Sequence, residues 1–552
     1  MVTIGVDFGT LAVRALVVEV ETGRELASAV RDYPHAVMTD ALPDGTPLPP
    51  DWALQHPQDY LDCLRAVVHE ALEKSGVSAQ KVIGLGLDCT ASTTFPVDAE
   101  GEPLCLQERY ASNPYAWVML WKHHAAQAYA NRMTEFAHEN GMRFVKQCGG
   151  RISSELMFPR LWQIAVEAPD VYEAADAFIE AGDWITRKLT GSTVRSANPA
   201  AYKLFWNPRD GYPSGEFLRK VDPQLEDAEE KLAGELKPLG SRAGTLNAYG
   251  AELTGLPVGT AVSVTCIDAH MALPAAGVVE DGTMLLILGT SGAHLVLDGQ
   301  EHDIPGLLCM AEDGMIPGWF AYEAGQSCCG DHFQWFVENC VPAGYAMEAQ
   351  QRGMGLHQLL TEKAQALRPG ESGLIALDWW NGNRSVLMDA ELSGLLVGMT
   401  LQTRPEEIYR ALIEATAYGT RVIVENFEKH GVRIREINVC GGIARKNPML
   451  MQIYADVLKR RLNIVKSDQA PALGSAIMGA VAAGKDKGGY DSIREAALQM
   501  GGTEDTVYEP DEESCAVYEA LYAEYLHLHD WFGRGGSDVM KRLKKIRKQQ
   551  QA

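Results

Sequence analysis

The sequence predicts an α/β protein of two related domains closing on a cleft, and three observations carry that prediction. The first is length: 552 residues exceed the roughly 250–300 at which a single core stops growing efficiently. The second is the alternation of short apolar strands with amphipathic helices, the pattern of α/β sheets. The third is a repeat. An apolar strand, a Gly-Thr turn and a returning apolar strand occur around Gly9-Thr10 and again around Gly289-Thr290, about 280 residues later. One such turn would be an ordinary hairpin; two at matching spacing point to duplication.

In chain order, Val2 to Val6 alternates into Asp7-Phe8-Gly9-Thr10, and Ala12 to Val20 returns. Thr22-Gly23 turns into Arg24 to Val30. Pro57 to Lys74 reads as a helix and Val82 to Leu87 as a buried strand. Helices follow at Pro159–Ala168 and Asp183–Leu189, and Ser192–Trp206 is less regular. From about residue 261 the pattern restarts, with Val262–Ile267 and Thr283–Leu288 as strands. Beyond Pro405 come a long helix (Glu406–His430), a strand (Ile437–Val439) into Cys440-Gly441-Gly442, and a helix (Pro448–Arg460). A strand at Asn463–Val465 and a small-residue helix at Ala472–Ala483 follow. The expected division is a first domain at 1–260, a second at 261–532, and a basic tail at 533–552 read as a solvated, frayed helix.

Composition narrows the class of function. With 46% hydrophobic and 22% charged residues the chain is an ordinary globular protein. Its 73 acidic against 49 basic residues leave a net charge of −24, which opposes nucleic acid or an anionic membrane as partner. The eleven cysteines form no CxxC pair or zinc spacing, so free thiols in a reducing compartment are expected. The N-terminus lacks a basic signal region and no run is long enough to span a membrane, which makes the cytoplasm the expected location.

Tight glycine turns bind oxyanions because they point several backbone donors inward. Asp7-Phe8-Gly9-Thr10 and Gly289-Thr290-Ser291-Gly292 both offer such a turn with a hydroxyl, and together they form a clamp holding phosphate from two sides. Asp7 stands where a carboxylate holds a hydrated Mg²⁺, and Arg14 is spaced to reach back across the turn. Gly479 to Lys485 imitates a Walker loop, but Asp486 replaces its hydroxyl and the glycines end a helix instead of opening one. Gly441-Gly442 follows a strand, where backbone either approaches an adenosine closely or simply turns. Asp268 ends an apolar strand, as a general base facing a cleft or as a turn residue.

Several segments then occur in a telling order: DFGT at 7–10, DWITRKLTG at 183–191, CIDAH at 266–270, LGTSG at 288–292, GLLVGMTLQTRPEEIYRALIEA at 394–415, GGIARKNPMLMQIYADVL at 441–458 and ALGSAIMGA at 472–480. Together they resemble the FGGY carbohydrate kinases over roughly residues 3 to 530. WKHH at 121–124, YKLFWN at 202–207, EAGQS at 323–327 and DWWNGNR at 378–384 look like the members acting on L-ribulose.

The resemblance implies two actin-like ATPase (ribonuclease H-like) domains with ATP and Mg²⁺ in an interdomain cleft. It makes Asp268 the general base, with Thr10, Arg14, Gly289 and Thr290 on phosphates and Gly441, Gly442 and Asn447 near adenosine. The sugar pocket would use the Ala91 backbone, Lys203, Asp268 and Glu323. Two departures stand out. Lys122-His123-His124 replace an acidic residue and an arginine after the tryptophan, and the lysine of the family's first signature gives way to Arg160 nearby. Adjacent histidines point different ways on a helix, so His123 and His124 read as structural or substrate-edge residues.

The implied reaction is ATP-dependent phosphorylation of a ketopentose, L-ribulose being the expected acceptor, with a homodimer as the assembly considered. Kinases of xylulose or of a pentitol are the rivals within the family. From other classes, an actin- or chaperone-like ATPase would need a peptide-binding domain, and only about 70 residues follow the last nucleotide-type segment. A sugar sensor would be expected to lack Asp268.

Overall fold

The computed structural model describes residues 1–232 and 234–551; Ala233 and Ala552, the last residue of the expected tail, lie outside it. Two seven-stranded sheets carry the molecule. The first runs Arg242–Thr245, Ala261–Ser263, Val82–Cys89, Val2–Phe8, Ala12–Glu19 and Glu25–Asp32, with Cys266–Ile267 paired on Val82–Cys89. The second runs Cys309–Glu312, Phe320–Gln326, Gly292–Asp298, Gly282–Leu288, Ile434–Cys440, Leu462–Val465 and Thr503–Tyr508.

The duplication read from the two Gly-Thr turns is present in the pairing. In the first sheet Val2–Phe8 is antiparallel to Ala12–Glu19 and parallel to Val82–Cys89. In the second, Gly282–Leu288 is antiparallel to Gly292–Asp298 and parallel to Ile434–Cys440. These strands are apolar on both faces because helices cover both sides, which is why they read as continuous hydrophobic runs.

Three expectations need correction. The division at residue 260 cuts through the first sheet: Ala261–Ser263 and Cys266–Ile267 both pair with Val82–Cys89, and the second sheet begins only at Gly282. The single strand expected at 262–267 is two short strands, because the chain leaves the sheet between them. The basic tail is no frayed helix. Val539–Gln551 packs on the loop at 389–393, with Lys541 paired to Asp389 at 2.5 Å and Lys544 donating to the Ala390 and Leu392 carbonyls at 2.8 and 2.9 Å.

Helix Ala470–Ala483, from the C-terminal half of the chain, lies across the first sheet. It approaches so closely that a Cβ on Gly86 would sit 1.7 Å from the Ser475 carbonyl oxygen, and one on Gly84 2.0 Å from that of Gly479. Glycine is required there by contact distance. Helix Asp268–Ala275 packs on it in turn, and an apolar core containing Leu16, Met271, Leu285, Leu297 and Leu473 joins the two sheets. Among the described residues no helix is long and apolar enough to cross a membrane. All eleven cysteines are free.

Candidate active site

Three parallel strands of the first sheet bring their C-terminal ends to one level. Asp7 lies opposite Asp88, and Cys266 is also opposite Asp88, so Asp268 follows immediately beyond. Asp7 and Asp88 are 5% and 0% exposed. Arg14 is opposite Asp7 on the antiparallel strand and its guanidinium donates to Asp7 at 3.2 Å. Ser475 Oγ donates to Asp88 Oδ2, but among the described residues no donor reaches Asp88 Oδ1. Burial and then the charge on Asp7 push the Asp88 carboxyl well above its ordinary range.

Asp268 opens helix Asp268–Ala275 and accepts from the Ala269 amide at 2.7 Å. Burial, then repulsion from Asp7, raises its pKa to about 7. A carboxylate poised there is half ionised at neutral pH and strong enough to take a proton from an alcohol in a transition state.

Glu323, on strand Phe320–Gln326, and Lys203, ending helix Ala197–Lys203, are within electrostatic reach of each other. Burial opposes both charges. The hydrogen bond from His270, with Lys203 and Arg384 nearby, nevertheless holds Glu323 ionised, down to about 2. The attraction of Glu323 likewise keeps Lys203 above the ordinary lysine value. These two and Asp268 are thus buried polar groups that influence one another's charge. Ala91 precedes Ser92, whose backbone adopts φ of +53°. That left-handed turn is locked by Arg160, which is 1% exposed and donates to the carbonyls of Ser92, Met119, Leu120, His123 and Ser154. Arg160 is thus a scaffold for this turn. His123 is buried and neutral, and His124 bonds Ser154 at 3.2 Å.

At both Gly-Thr turns the glycine amide closes the turn: Gly9 donates to Ala12 O and Gly289 to Ser291 O, each at 3.0 Å. Within these turns the amides with no partner among the described residues are those of Thr10 and Leu11, and of Thr290 and Ser291. Gly289 therefore shapes the turn, and Ser291, unassigned from sequence, leaves an amide free. Thr10 is fixed by Gln55, which donates to its carbonyl at 2.8 Å, and by Trp121, whose indole donates to its hydroxyl at 3.1 Å.

Gly441 has φ of +104° and a Cβ there would lie 2.2 Å from Leu288 O, whereas Gly442 faces open space. Asn447 caps helix Pro448–Leu458: its Oδ1 accepts from the Leu450 amide at 3.0 Å, leaving only its amide nitrogen, near Thr361, to face a ligand. The Walker-like segment is excluded, since Gly479 is packed on the first sheet and Lys485 is paired with Glu495 at 3.0 Å.

Sequence reasoning missed Asp88, Asn198 and His270. Asp88 carried a usable signal: like Asp7 and Asp268, it is a carboxylate directly ending an apolar parallel strand.

Two duplicated sheets, each with a Gly-Thr turn, and a raised carboxyl at the end of the first fit a kinase for a polyhydroxylated acceptor. The chain belongs to the FGGY family of carbohydrate kinases: residues 2–274 match its N-terminal domain and 284–483 its C-terminal domain. It is similar to a protein of Geobacillus thermodenitrificans named ribulokinase, 52% identical over 543 residues, 98% of this chain and 96% of the relative. A Halalkalibacterium halodurans protein of the same name is 52% identical over 547 residues, 99% of this chain and 97% of that one. Among solved structures, the xylulose kinase of Rhodospirillum rubrum superposes with a TM-score of 0.80, covering 96% of this chain and 98% of that one at 23% identity. That likeness concerns the fold. As a sugar kinase of this family the protein takes a sugar and ATP as its small-molecule partners.

Proposed function

We propose that the protein transfers the γ-phosphoryl group of ATP to the terminal hydroxyl of L-ribulose, giving L-ribulose 5-phosphate in the cytoplasm. The observation that carries the reaction is Asp268, a carboxyl raised to about 7 at the end of the first sheet, beside Lys203 and Glu323. The choice of ribulose is supported by the full-length likeness to relatives of that name.

Asp7, Asp88 and Asp268 fit a divalent cation, since Asp88 Oδ1 is buried without a donor among the described residues and the carboxyls otherwise repel. These residues would hold Mg²⁺, largely through its waters, and the bound ion would neutralise phosphate charge. Asp268 accepts the proton of the attacking hydroxyl. Glu323, Lys203 and the Ala91 backbone orient the sugar. The free amides of Thr10, Leu11, Thr290 and Ser291, together with Arg14, take the phosphoryl oxygens from both sides. Gly441, Gly442 and Asn447 border the adenosine. Closure of the cleft excludes water that would otherwise hydrolyse ATP.

ADP release measured across L-ribulose, D-ribulose, xyluloses and pentitols tests the reading. L-Ribulose should give the highest kcat/KM; a higher value for a xylulose or pentitol would replace it as substrate, and ADP release independent of any sugar would overturn the reaction.

A further inference from the structure

Beneath the proposed sugar pocket runs a chain of hydrogen bonds whose directions are fully determined. The Ile267 amide donates to Asn198 Oδ1 at 2.9 Å. Asn198 Nδ2 gives one proton to the Gly314 carbonyl and the other to His270 Nδ1 at 3.0 Å. An amide donor on one side of Asn198 and a carbonyl acceptor on the other fix which end of its side chain is which. His270 Nδ1 is therefore an acceptor, the ring proton is on Nε2, and Nε2–H donates to Glu323 Oε2 at 3.3 Å. Asn198 is 0% and His270 1% exposed, so neither exchanges its partners for water.

The chain links the segments that carry the pocket residues. It starts at the amide next to Asp268, passes through Asn198 on the helix that ends in Lys203, and finishes on Glu323. Tyr202 holds the imidazole in place, its ring 4.3 Å from that of His270 and its hydroxyl donating to Ala321 O at 3.1 Å, two residues before Glu323.

We infer that Asn198 and His270 are positioning residues: they deliver one fixed N–H to Glu323 from behind, orient its carboxylate, and so set which arrangement of sugar hydroxyls the pocket accepts. This rests on the assignment of Glu323 to the sugar. A ring in the other tautomer would present a lone pair to the carboxylate and turn it away. The acceptor preference is thus decided one layer behind the residues that touch the sugar.

His270→Gln keeps a nitrogen donor near the Nε2 position, whereas His270→Asn keeps only a partner for Asn198. The Asn variant should lower kcat/KM for the sugar about 10- to 150-fold, the usual loss for a bond to a charged group, mainly through KM. The KM for ATP should stay unchanged, and the Gln variant should recover most of the loss. In a Glu323→Gln background the His270→Asn effect should disappear. Wild-type sugar constants in the Asn variant, equal constants in the two variants, or additivity with Glu323→Gln would each overturn the inference. Nitrogen-15 NMR of the histidine-labelled wild-type protein tests it without any variant: the Nε2–H tautomer of His270 is expected, and the Nδ1–H tautomer would sink it. Should wild type prefer another acceptor, the same comparison made with that acceptor separates the fate of this inference from that of ribulose as substrate.

Discussion

Asp7 and Asp88 occupy directly opposed positions on adjacent parallel strands, and among the described residues the only cation paired with either is the half-exposed Arg14 on Asp7. Two buried carboxyls with one such counter-charge cannot both ionise cheaply. Asp88→Asn removes that conflict while preserving an acceptor for Ser475. The variant should melt higher than wild type without divalent ions, yet bind Mn²⁺ about 10- to 100-fold more weakly, as loss of a supporting ligand does. Calorimetry and Mn²⁺ titration check the two signs; unchanged Mn²⁺ affinity would remove Asp88 from the cation site.

Asp268→Asn should leave sugar and ATP binding largely intact while turnover falls about 10²–10⁴-fold, the range for a lost general base. In wild type, kcat/KM for the sugar should fall as pH drops through about 7, because the base is then protonated. Raising free Mg²⁺ should move that limb to lower pH, since a cation favours the carboxylate. The limb should be missing from whatever activity the Asn variant retains.

Lys203→Ala should lower kcat/KM for the sugar about 10- to 150-fold, with a smaller change in KM for ATP. It should also raise the pKa of Glu323, one of whose stabilising charges is Lys203. Steady-state kinetics with each substrate varied in turn decide the matter; a defect confined to ATP would place Lys203 outside the sugar pocket.

Lys485→Ala should leave KM for ATP and turnover as in wild type, because Lys485 follows its helix and pairs with Glu495 on the surface. Collapse of ATP binding in a folded variant would mean the nucleotide is misplaced.

Glu180 offers a prediction about stability alone. Burial raises its pKa to about 8 from an ordinary 4.5, so folding takes up a proton between those values. Its contribution to stability is therefore greatest below pH 4.5, declines as pH rises, and levels off above about 8. Glu180→Gln lacks that dependence. Relative to wild type it should gain roughly 3–4 kcal/mol between pH 5 and pH 8, whatever the fixed offset from its new amide protons. Denaturant melts at several pH values would show a flat difference if Glu180 is ionised in the folded protein.

Local signals were legible in the sequence and distant pairings were not. Both Gly-Thr hairpins, the long helix Pro405–Lys429 and the strand-end carboxylates Asp7 and Asp268 follow from periodicity and turn chemistry, which act over a few residues. The domain division failed because the partner of Ala261–Ser263 is a strand about 180 residues earlier, and no local pattern states that. Arg160, Asn198 and His270 owe their roles to carbonyls and side chains brought together from separate elements. In sequence each is a polar residue among mostly apolar neighbours on a short helix. The tail misled for a similar reason: its lysines stay largely exposed, but the acidic loop at 389–391 that pairs with Lys541 and Lys548 lies about 150 residues earlier.

The glycine-lined face of the first sheet is covered by a helix that the chain delivers only at residues 470–483. An N-terminal fragment ending near residue 274 would contain every strand of that sheet and still present a bare apolar surface. On the ribosome, the first half must wait for most of the second to emerge before its sheet is sealed. Expressed alone, such a fragment should aggregate, and co-expression with the remainder should rescue it. The two halves descend from one pattern, yet neither is a separable module: the active-site strands carrying Asp7 and Asp88 are finished by the other half's backbone.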